Sequence, residues 1–367
     1  MDKETPLPGF FKPETMQRLH EVLVLSSSVK GFLDWPTGLL RINYSVDEVR
    51  AWLNGILEPA KARGLEELLF HEVFHFLQIS SSAYLFFWVN QLNTILVETL
   101  TDPDIITSIE AFPSRVAPDL APHLKTLLAD MDEAGPSGVT VRALVESVAF
   151  LTQARRFADG IDSGKDYLGY LSKHCPADEY RKTFDVARTQ LGEERAFAWL
   201  PLMTNMSLAT KRPVVTYCNM CQELSRRSIH KDPEQFPVNR IQAMYNEIVP
   251  DCIGQVTSII PQLSKRHPVY ADVAEEIMHD THRQELKTFI FEPHKISGDF
   301  WRLGMSPAIC NPNPSSLFVG NREWPVLFMR RGFRSVKDTN SISASKLMLV
   351  LSTRIIGNFM QNCEPLP

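Results

Sequence analysis

Apolar residues recur at helical spacing through most of this chain and alternate over only a few short runs. Val49, Trp52, Leu53, Ile56 and Leu57 fall at i, i+3, i+4, i+7 and i+8, which predicts an amphipathic helix. Ser45, with Glu48 three residues on, offers it a capping box, and Pro59 and Gly64 are expected to end it. The next segment is different. Leu65, Leu68, Leu69, Phe70, Val73, Phe74, Phe76 and Leu77 are apolar all round a helix, so this element is expected to be buried. Another apolar helix is predicted from about Tyr84 to Thr99, and Asp102 to Ala134 reads as helical with proline interruptions. Glu133 to Gly138 is a loop, after which Thr140 caps a helix from Val141 to about Ala158 that is apolar nearly all round and carries Glu146.

Three or four more helices are expected between Tyr167 and Leu224, with Pro213 at or near the start of one. Ile229 to Asn239 reads as a linker, Val269 to Phe289 as a long helix and Ser343 to Gln361 as a closing amphipathic helix. Short alternating or apolar runs at Glu21 to Leu25 and Gly38 to Tyr44 suggest strands, and Asn311 to Ser316 a turn before a strand pair within Phe318 to Phe328. The fold class is therefore mainly α with a small β-sheet (α+β). Residues 1–45 form an N-terminal arm with short strands, 46–230 a helical core and 231–367 a mostly helical C-terminal region that can belong to the same domain.

Composition narrows the function. At 367 residues the chain can bury a large core, and a net charge of −5 without a long basic run argues against nucleic acid as a partner. The N-terminus lacks the apolar core of a signal peptide and no stretch reaches the length of apolar residues a bilayer demands, so a cytoplasmic protein without a membrane partner is expected. Six cysteines are too few and too scattered for a disulfide framework, and Cys218 and Cys221 form a CxxC without a second pair at zinc-ribbon spacing. Free thiols are expected.

The chemistry concentrates in His71, Glu72, Val73, Phe74 and His75, the pattern HExxH. On a helix the two histidines are one turn apart, so both imidazoles leave the same face and can hold one metal ion. Glu72 lies about 100° round the helix, able to reach a water on that ion without binding it. Unpaired polar groups inside a buried helix are costly, and a metal supplies the missing partner. Gln78, at i+3 from His75 and i+7 from His71, is on the metal face and suits a partner for a ligating imidazole or a hydrogen-bonded core amide.

The stretch Leu69 to Leu77 resembles the signature of the HExxH zinc metallopeptidases, the zincins. The resemblance implies a zincin-like helical metal core, Zn2+, a metal-bound water, Glu72 as general base and a peptide or protein substrate. The metzincin extension HExxHxxGxxH is absent, because position 78 is Gln and position 81 is Ser, so the third ligand comes from elsewhere. Glu98 lies 23 residues beyond His75 and Glu146 lies 71 beyond. Glu98 shares its stripe with Gln91 and Thr94, whereas Glu146 lines up with Ala149, Phe150 and Gln153 in a helix with almost no polar face, where a carboxylate has more need of a cation. Glu146 to Ala149 also resembles the E-x-x-A segment that carries the glutamate ligand of Glu-type zincins. Glu146 is therefore favoured and Glu98 is the alternative.

For an oxyanion-stabilising group Tyr217, Tyr270, His279 and His282 qualify by residue type alone, and none is singled out. Two other classes stay open. Glu72 to His75 and Glu276 to His279 are both ExxH, which together with Glu98 and Glu146 resembles a di-iron carboxylate (ferritin-like) set in an unusual order. A protein keeping a zincin fold for binding, without turnover, would carry the same motif.

Overall fold

The computed structural model describes residues 31–36, 38–101, 121–227, 233, 268–303, 308–309 and 326–327. The chain is mainly helical with a small sheet. Its contacts gather it into two units, one of residues 1–72, 89–126 and 305–367, the other of residues 73–88 and 127–304.

In the first unit, strands β1 (Gly31–Asp34) and β2 (Leu39–Ile42) form an antiparallel hairpin in which Leu33 opposes Leu40. Strand β3 (Ala308–Ile309) runs parallel to β2, and β4 (Val326–Leu327) completes the order β1-β2-β3-β4 among the described residues. Part of the predicted Gly38–Tyr44 run is thus a strand. β1 was not legible, because Gly-Phe-Leu-Asp is too short to show alternation. Helix α1 (Val46–Leu53) begins with the full capping box, Ser45 accepting from the Glu48 N–H and Glu48 accepting from the Ser45 N–H.

That helix stops earlier than its stripe suggests. Gly55 takes φ +68° and Ile56 is 75% exposed, so the stripe beyond Leu53 faces no core. Pro59 does not end α1 but starts α2 (Pro59–Ser81), with Gly64 inside it. A proline fits the first turn because its missing N–H has no helical partner there, and the Glu58 carboxylate accepts from the next two amides, Ala60 and Lys61, at 3.0 Å each. Lys61 bonds back to Glu48 at 2.8 Å and the Trp52 indole donates to Glu66 at 3.1 Å, fastening α1 to the start of α2.

Helix α3 (Ala83–Thr101) follows, then α4 (Ala121–Asp132). The second unit is built on α5 (Val141–Phe157), capped by Thr140 accepting from the Ala143 N–H. Four helices come next, α6 (Gly164–His174), α7 (Glu179–Leu191), α8 (Glu193–Ser207) and α9 (Pro213–Arg226), the last opening on its proline as predicted. α7 packs on both α5 and α8, and Phe184, Trp199, Leu200 and Tyr217 fill the space between with no exposure. The turn from α7 to α8 needs φ +78° at Gly192, and a Cβ on Gly164 would collide with the Glu193 carbonyl, so both positions require glycine.

The long helix expected over 269–289 is broken into α10 (Pro268–Met278), a 3-10 turn at Asp280–His282 and α11 (Arg283–Phe291). There the His279 ring accepts from the Thr281 N–H at 3.4 Å and the His282 N–H bonds to the His279 carbonyl, local bonds that compete with the helical ladder. A short helix α12 (Gly298–Leu303) follows. The strand expected at Glu21–Leu25, the linker, the Asn311–Ser316 turn and the closing helix lie outside the described residues. Among those described, no helix is long and apolar enough to cross a membrane.

Candidate metal centre

α2 carries the HExxH segment in its middle, and its all-round apolar sequence buries it: Leu69, Phe70, Val73, Phe74, Phe76 and Leu77 are each at most 1% exposed. In the second unit Phe76 stacks on Tyr270 and Phe74 meets Phe289, so the turn bearing His75 is held by aromatic packing on two sides. His75 is only 2% exposed and Gln78 only 1%.

Hydrogen bonding decides which nitrogen of His75 is available. Gln78 Nε2 donates to the Val145 carbonyl at 3.3 Å, and its Oε1 lies 2.9 Å from His75 Nδ1. A carbonyl only accepts, so the amide group facing Val145 must be the NH2 and the atom facing His75 must be the oxygen. Nδ1 therefore carries a proton and donates it to Gln78. That leaves Nε2, which lies 3.2 Å from Glu146 Oε2. Two lone pairs at this distance repel. A proton on Nε2 or on the Glu146 carboxyl relieves that repulsion, and so does a cation held by both groups.

His71, one turn earlier on α2, completes the group: His71, His75 and Glu146 each bring a ligand atom within 4.8 Å of the others, the one such cluster among the described residues. Two imidazoles and a carboxylate are a donor set that fits a divalent transition metal. The charges nearby favour it too. Arg142, one turn before Glu146 on α5, gives its guanidinium to Asp132 through bonds of 2.7 and 3.1 Å. This pairing, helped by the charges of Asp132, Glu146 and Glu179, raises its pKa. Burial, and then the charge of Glu146, push the Glu179 carboxyl up. Three carboxylates around one guanidinium leave negative charge in excess, which a divalent ion would offset.

No family model, curated protein or solved structure matches this chain. The residues themselves therefore carry the functional reading.

Glu72, 8% exposed, is not one of the three clustered donors; its Oε2 accepts from the Leu33 N–H of β1 at 2.7 Å. The alternative ligand Glu98 is in α3, but its side chain lies outside the described residues. Tyr217 is a core residue whose hydroxyl donates to the Thr183 carbonyl, and burial holds its pKa well above the usual range. Tyr270 is spent on Phe76. His279 and His282 line a shallow, solvent-open depression with Glu275, Glu276 and Thr281, and neither Glu276 nor His279 joins the clustered donors that a di-iron set would need. Cys218 meets the Ser137 hydroxyl at 3.1 Å, and burial pushes the Cys221 thiol up to about 12. Asp132, Glu179 and Leu33 were not anticipated. Arg142 was within reach of sequence reasoning as the i−4 neighbour of Glu146, whereas the other three arrive from distant segments.

Proposed function

We propose that this protein is a zinc-dependent metallopeptidase of the HExxH type, in which His71, His75 and Glu146 would hold the ion. The observation that carries the reading is the meeting of His75 Nε2 and Glu146 Oε2 at 3.2 Å, with the other imidazole nitrogen already committed to Gln78. A bound zinc ion supplies a Lewis acid that polarises the scissile carbonyl. Glu72 handles the proton: it takes one from the attacking water and later gives it to the departing amine nitrogen as the C–N bond breaks. Gln78 fixes the tautomer and plane of His75, and the α5 backbone, through Val145, fixes Gln78. The peptide class of the substrate rests on the HExxH resemblance.

The test is a pair of measurements on the purified chain. Elemental analysis should find one zinc per chain, and a mixed peptide library read by mass spectrometry should show cleavage that stops in Glu72→Gln while zinc content holds. A wild-type protein that binds zinc but cleaves nothing would leave a metal-binding protein without turnover. Full activity in Glu72→Gln would remove Glu72 from the reaction.

A further inference from the structure

Glu72 is held from a direction that HExxH does not specify. Its Oε2 accepts from the main-chain N–H of Leu33 at 2.7 Å, in a buried contact between residues 39 apart in sequence. β1 stands at one end of the four described strands, and successive amides of a strand point to opposite sides. The Leu33 amide is given to Glu72, so it faces away from β2 while the hairpin's ladder uses its neighbours. Charge-assisted bonds of this length are about twice as strong as neutral ones, and a carboxylate that is 8% exposed has little water to replace one.

We infer that the Leu33 main-chain N–H is a positioning group for Glu72: the outer edge of β1 fixes the rotamer and direction of the carboxylate that serves as base. This rests on the peptidase reading above, and it assigns β1 a part in catalysis without direct contact with the reacting atoms. The bond is made by the Leu33 main chain and not by its side chain, which belongs to the buried core.

The experiment replaces Leu33 in the full zinc-loaded chain by its α-hydroxy acid, which exchanges the N–H for an ester oxygen and keeps the side chain. The same exchange at Phe32, whose amide is on the β2 side of the strand, is the control for general weakening of the hairpin. The expected result is unchanged zinc content and KM with kcat lowered about 10- to 100-fold at 33, the size of loss that a displaced catalytic group produces. The Phe32 ester should melt at lower temperature but retain kcat. Wild-type kcat in the Leu33 ester would overturn the inference and leave the peptidase reading standing. If the wild-type protein cleaves no peptide, the peptidase reading falls by itself, and the Leu33 amide resonance decides whether the strand holds the carboxylate. A strong upfield shift of that resonance in Glu72→Ala supports the bond, and an unmoved one overturns it. The same resonance decides the matter where an ester variant fails to fold.

Discussion

Replacing Gln78 by leucine tests the candidate metal site at a residue that would organise it without binding the ion. The side chain is buried at 1% exposure and makes two bonds, accepting from His75 Nδ1 and donating to the Val145 carbonyl. Leucine fills nearly the same space, so the packing change is small. The Val145 carbonyl lies inside α5 and keeps its place in the helical ladder, so its loss is minor. The His75 N–H is another matter: left buried without an acceptor it costs about 1–3 kcal/mol. Removing such a partner from a ligating histidine lowers metal affinity about 10- to 100-fold. The assay is zinc titration against a competing chelator, with thermal melts of metal-free and metal-loaded protein. Gln78→Glu, which still accepts from Nδ1, should retain most of the affinity even if its new carboxylate faces the Val145 carbonyl unfavourably. Wild-type zinc affinity in Gln78→Leu would refute the tautomer reasoning, and with it the claim that Nε2 is the nitrogen offered to the ion.

Glu146→Ala should reduce zinc binding more than Gln78→Leu does, measured in the same titration, because it removes a donor and leaves His75 Nε2 without its partner. Gly164→Ala should destabilise the protein by about 1–3 kcal/mol in denaturant melts, since the new methyl meets the main-chain carbonyl of Glu193. His294, pushed down to about 3 by burial and by Arg155, Lys295 and Arg156, is neutral in the folded chain and charges when it unfolds. Its folded pKa is below the unfolded one, so stability is retained above about pH 6.5 and falls by up to about 1.4 kcal/mol per pH unit as pH drops toward 3. Melts of His294→Gln between pH 4.5 and 7.5 should show a shallower acid slope than wild type, and equal slopes would rule this out.

The mainly helical character with a small sheet was readable because helical spacing dominates, and the capping box at Ser45 and Glu48, the cap at Thr140 and the start of α9 at Pro213 appear where local chemistry puts them. The errors share a cause. One-dimensional rules carry the stripe through Ile56 to Pro59, whereas Glu58 capping the following helix and the exposure of Ile56 set the boundary earlier. The break at His279–His282 likewise came from side-chain bonds that helical periodicity does not encode. At the candidate site the i, i+3 and i+4 relations of His71, His75 and Gln78 follow from one helix. The Leu33 amide has no sequence signal at all, since every residue but proline has one, and Glu179 is brought beside Glu146 by the packing of α7 on α5.

The distance along the chain between the two kinds of ligand has a kinetic consequence. His71 and His75 are four residues apart and become neighbours as soon as one turn of α2 forms, on the sub-microsecond scale of helix growth. Glu146 is 71 residues further on, so its contact with His75 requires closure of a long loop and comes late. A metal ion held by this group would then be gripped weakly by two histidines in the nascent chain and tightly only after α5 has docked. An interaction completed after the folding transition state slows unfolding far more than it speeds folding. The ion would act as a late latch, lengthening the lifetime of the native state while leaving the time taken to reach it nearly unchanged.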